Sequence, residues 1–133
     1  MNFEIFAELF RVIHALSGYP IPEQLPELHL VPQHELQARI CPTGCGVKAF
    51  YLRGQGVFMD EALDVRNDVL ARSVLLHELV HYVQSKAGRF DSLPECQAWY
   101  ARELEAYQIQ NEYLRQQGSA TRQYMAGRVH QCV

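Results

Sequence analysis

The feature that most restricts this chain is "LLHELVHYVQ", residues 75–84. It sets His77, Glu78 and His81 in the order H-E-x-x-H, with Val74, Leu75, Leu76, Leu79, Val80 and Val83 around them. A helix that is apolar on nearly every side is buried. Two imidazoles and a carboxylate buried with it cost free energy unless polar partners satisfy them. Residues four apart project from one helical face about one turn apart, so both rings can reach a single tetrahedral ion. Glu78 lies ~100° further round and can reach a water on that ion without being a ligand. The competing reading is a buried histidine pair held by hydrogen bonds alone.

A catalytic zinc takes three protein ligands and keeps one position open. The pattern H-E-x-x-H-x-x-G-x-x-H does not continue here, because Gln84 stands at the Gly position and Ala87 at the final His. The next histidine is His130. The third ligand is therefore expected from a carboxylate on the following helix, read from about Leu93 to Gln117 and closed by Gly118. Its candidates are Glu95, Glu103, Glu105 and Glu112. At ~100° per residue, Cys96, Trp99, Tyr100, Ala106, Tyr107, Gln110 and Leu114 fall within about 60° of Glu103. Glu103 thus sits in the middle of an apolar and aromatic stripe, where a lone carboxylate needs an ion or an internal arginine. Glu105 points ~160° away and reads as the solvent side. Glu95 is explained by a capping box with Ser92 as N-cap.

The rest of the chain narrows the partners. Its 133 residues fit one domain. A net charge of −3 gives no basic footprint, so nucleic acid is not expected. No apolar run approaches the ~18 residues of a membrane span. "MNFEIFAELFRVIHALSG" reads as an amphipathic helix with Phe3, Phe6, Ala7, Phe10, Ile13 and His14 near one face, ended by Gly18 and Pro20. It lacks the basic start of a signal peptide, which points to the cytoplasm. Cys41, Cys45, Cys96 and Cys132 permit two disulfides in three pairings, and a periplasmic or secreted location if they form. "CPTGC" would close a small loop. Residues 19–35, with Pro20, Pro22, Pro26 and Pro32, read as an irregular connector, and "ELQARI" as a short strand. "VKAFYL" (47–52) and "VFMDEAL" (57–63) read as a hairpin about the "RGQG" turn. A helix from Asn67 to Ala87 is stopped by Gly88, and a weak helical signal remains over 119–128. His14 reads as a core or surface residue, and His29, His34 and His130 as loop residues. The expected class is α+β: a small antiparallel hairpin, an N-terminal helix over 1–18 and two long helices, with a catalytic core at 47–117.

On these residues the chain resembles the zincin metallopeptidases, in particular the gluzincins, in which H-E-x-x-H is followed by a glutamate on the next helix. "HELVHYVQ" followed by "ELEAY" is also similar to small, uncharacterised bacterial metallopeptidases of minimal gluzincin type, over about residues 47–115. The resemblance implies Zn2+ held by His77, His81 and Glu103, with Glu78 as general base and Ala106 as the small residue after the ligand glutamate. Related groups often carry an Asp or Asn at the position of Tyr107 to support a ligand histidine, so Tyr107 is a departure. A strand edging the cleft, either "VFMDEAL" or "VKAFYL", would pair with an extended peptide. Tyr100, Tyr107 and Tyr113 are candidate donors to a reacting carbonyl, with core packing as the alternative for each. The implied activity is a zinc-dependent peptidase acting on peptide or protein substrates. The alternatives are a zinc-binding sensor or interaction module without hydrolysis, and an interaction domain without metal. Glu78 argues against the module, since a structural site needs no base.

Overall fold

The computed structural model describes residues 3–40 and 46–125. In chain order it contains α1 (Phe3–Ser17), β1 (Leu28–Val31), α2 (Gln33–Ile40), β2 (Ala49–Leu52), β3 (Gly56–Asp60), α3 (Val69–Ala87) and α4 (Glu95–Gln116). The fold is α+β, as expected. The sheet is mixed rather than a lone hairpin, in the order β1-β3-β2. β3 runs parallel to β1 and antiparallel to β2.

Two segments depart from the sequence reading. "ELQARI" belongs to α2, not to a strand. Its alternation of Leu36, Ala38 and Ile40 mimics a strand, but the carbonyl of Pro32 accepts from the N–H groups of Glu35 and Leu36 and starts a helical turn. Leu36 anchors that helix in a small cluster with Phe50 and Phe58. The proline-rich connector, conversely, holds β1. Pro26 and Pro32 bracket Leu28–Val31 rather than interrupt it, so no ladder donor is lost. His29 therefore lies in β1, stacked on Phe58, and His34 lies in α2.

α3 is the central element and contacts α1, α4, β2 and β3. Asp68 caps its first turn by accepting from the Leu70 N–H at 2.9 Å. Gly88, at φ 66°, ends it with bonds to the carbonyls of Gln84 and Ser85. α1 contributes Ile5, Phe6, Leu9, Phe10 and Ile13 to the core against α3, while His14 stays exposed and bonds through Nδ1 to the Tyr19 carbonyl. The capping box is not formed at α4. Its N-cap is Pro94, which makes no side-chain cap bond. Cys96 is disulfide-bonded. The "CPTGC" loop, Cys132 and His130 lie outside the described residues, and residues 119–125 contain no helix.

The β2–β3 turn carries a tight constraint. Gly56 has φ 106°, and a Cβ there would stand 2.4 Å from the Glu27 carbonyl oxygen. That carbonyl accepts from the Val57 N–H, so it cannot withdraw without loosening the β1–β3 pair. Gly56→Ala is expected to destabilise the protein by about 3 kcal/mol, from strain and overpacking together. A chemical denaturation midpoint equal to wild type would contradict this.

Candidate metal centre

α3 and α4 pack side by side, and the ligand-type residues face each other across that contact. His77 and His81 project one turn apart from α3, and Glu103 reaches them from α4. The three offer ligand atoms that all lie within 4.8 Å of one another. Glu103 Oε1 is 3.5 Å from His77 Nε2, and Glu103 Oε2 contacts His81 Nε2 closely. The two Nε2 atoms are 3.3 Å apart. The opposite ring nitrogens face amides, with His77 Nδ1 2.9 Å from Gln110 Oε1 and His81 Nδ1 2.8 Å from Gln84 Oε1. Among the described residues this is the group of His, Cys, Asp and Glu that could hold a metal ion. Two nitrogens and a carboxylate turned towards one point, with the far sides of both rings engaged, fit a divalent cation.

The electrostatics agree with this geometry. Burial pushes the Glu103 carboxyl up, but hydrogen bonds and charge from His77 and His81 outweigh it and hold the group at about 2. Burial alone would lower His81, yet Glu103, Glu78 and Gln84 together hold it above its usual value. Glu78 is buried beside them, and burial raises its pKa. The rings of His77 and His81, and a hydrogen bond from the Tyr51 N–H, act in the opposite direction.

That bond to Tyr51 identifies the strand at the site. The Lys48 carbonyl accepts from the Asp60 N–H, so in an antiparallel ladder the main-chain groups of Ala49 and Tyr51 point away from β3. β2 is an edge strand, and its outer side lines a cleft of about 1100 Å³ that also contains His77, Glu78, His81 and Glu103. β3, buried along its length, is the sheet's centre. The edge is thus "VKAFYL", which the sequence could not separate from "VFMDEAL".

The tyrosines divide clearly. Tyr107 lines the cleft, with its ring centroid 4.4 Å from that of His77. Its pKa is raised by burial and then by the charges of Glu103 and Glu78. Tyr100 is half-buried and does not line the cleft. Tyr113 is fully buried and accepts a 2.7 Å hydrogen bond from Arg72 Nε, a packing role. Tyr51 lines the cleft and was not singled out from the sequence.

Glu105 corrects a further expectation. It is half-buried rather than solvated, accepting from the Tyr19 hydroxyl at 2.5 Å and from Gln84 Nε2 at 2.9 Å. The helical wheel assumed one buried face, whereas α4 also contacts α1, whose C-terminal connector brings Tyr19 to Glu105. Trp99, placed in the stripe by the same wheel, is 40% exposed and lines the cleft. Glu95 also lines it, and Glu112 is paired with Arg115. Gln84 and Gln110 were missed as functional residues. The available signal was a long amide on each buried stripe, which requires partners.

The fold and site together define a small α+β protein with a two-histidine, one-glutamate group set beneath the edge of a mixed sheet. The chain belongs to the family described as Domain of unknown function (DUF6647), whose profile matches residues 2–126. No curated protein and no solved structure matches it.

Proposed function

We propose that this protein is a zinc-dependent peptidase of gluzincin type. The observation that carries the reading is the convergence of His77, His81 and Glu103 with the buried carboxylate of Glu78 in a cleft edged by β2. A zinc ion held by His77, His81 and Glu103 would supply a water acidified towards pH ~7. Glu78 takes the proton of the attacking water at its carboxylate and delivers it to the leaving amine. The outward N–H and carbonyl of Ala49 and the outward carbonyl of Tyr51 orient an extended peptide along β2, the Tyr51 N–H being held by Glu78. Tyr107, on the wall beside His77, is the donor best placed to face the reacting carbonyl. No helix among the described residues is long and apolar enough to cross a membrane.

The test is the metal content of the purified protein, followed by cleavage of a casein or mixed-peptide pool. About one zinc per chain with cleavage supports the proposal. Zinc without cleavage of any substrate favours a sensor or interaction module, and absence of bound metal after zinc addition removes both.

A further inference from the structure

We infer that the tautomer of each ligand histidine is fixed by a relay ending on a helix carbonyl, with Gln110 and Gln84 as the positioning residues. The inference deepens the metal-centre reading and rests on it.

The orientation of each amide follows by elimination. The Ser73 hydroxyl donates to the Leu70 carbonyl at 2.7 Å. A hydroxyl has one hydrogen, so towards Gln110 it can only accept. Gln110 therefore turns its NH2 to Ser73, at 3.1 Å, and its Oε1 to His77 Nδ1. An amide oxygen is only an acceptor, so Nδ1 carries a hydrogen, and a ring that gives up the Nε2 hydrogen it shares with Glu103 would offer the ion its Nε2 lone pair. The His81 relay has different members and the same result. The Gln84 NH2 meets two acceptors, the Arg102 carbonyl at 3.0 Å and Glu105 Oε1 at 2.9 Å. Its Oε1 is left for His81 Nδ1. Tyr19 fixes Glu105 in turn, so this relay reaches from α4 to the end of α1. Both glutamine side chains are buried, at 0% and 2% exposure, which shields the relays from bulk water.

The relays differ in what they tolerate. Ser73 can rotate to donate, so a carboxylate at position 110 still accepts from His77. A carboxylate at position 84 would face the Glu105 carboxylate and the Arg102 carbonyl, which need a donor.

Zinc affinity, measured by chelator competition, and the melting temperature in excess chelator separate positioning from folding. Gln84→Leu and Gln110→Leu are each expected to weaken zinc binding about 10–100-fold. Their metal-free melting should change far less than a loss of fold requires. The zinc-loaded wild type should show two exchange-protected Nδ1–H proton signals, one of them lost in each variant. If a leucine variant does not fold, the glutamates decide: Gln110→Glu should bind zinc at least as tightly as wild type, and Gln84→Glu more weakly. Wild-type affinity in both leucine variants, or equal affinity in the two glutamate variants, overturns the inference alone. A wild type that binds no zinc overturns the metal-centre reading, and this inference with it.

Discussion

Glu78→Gln is expected to lower peptide hydrolysis by about 10²–10⁴-fold, the range typical of a lost general base, while zinc stays bound. The substitution preserves volume. The amide oxygen can still accept from the Tyr51 N–H that meets the carboxylate, so the α3–β2 contact is maintained. What disappears is the capacity to take up a proton. The measurement is kcat/KM on the best peptide from the pool, with zinc content determined on the same sample. Loss of zinc in Glu78→Gln would make Glu78 part of the metal's own ligand set. Unchanged hydrolysis would place the base elsewhere.

The second large effect separates two glutamates that lie two residues apart. Glu103→Gln is expected to weaken zinc binding by more than about 100-fold, beyond what outer partners of a ligand usually contribute. Glu105→Gln should change it by no more than about 10-fold. Glu103 faces both Nε2 atoms directly, whereas Glu105 reaches His81 only through Gln84. A glutamine at 105 also keeps an oxygen for the Tyr19 hydroxyl. Equal losses in the two variants, followed by isothermal titration with zinc, would contradict the assignment of Glu103.

The sequence carried the centre of the site better than its supports. His77 and His81 were legible because four-residue spacing on a helix is a strict geometric rule, and Glu103 because a carboxylate in an aromatic stripe is costly. Glu105 was misread because a helical wheel describes one face, and α4 is held on two sides. β1 was hidden by the prolines beside it, since a pairing partner nearly thirty residues away, β3, leaves no local trace. α2 was disguised as a strand by alternating residues that are all tolerated in a helix. Gln84 looked only like the break in a longer histidine pattern. Its role depends on the Arg102 carbonyl and Glu105, which local spacing does not connect to it.

The neutrality of the two glutamines has a consequence for the electric field of the site. A divalent cation at the centre would be matched in charge by Glu103 and Glu78, with the amides and neutral imidazoles adding none. Such a set can sit in a low-dielectric interior without a large solvation penalty, because its monopole vanishes. It would also project little net potential along the cleft. Discrimination between charged substrates would then fall to the rim, where Lys48, Arg53 and Arg102 stand among Asp91 and Glu95. Salt would weaken that discrimination at the exposed rim far more than it would disturb the buried centre.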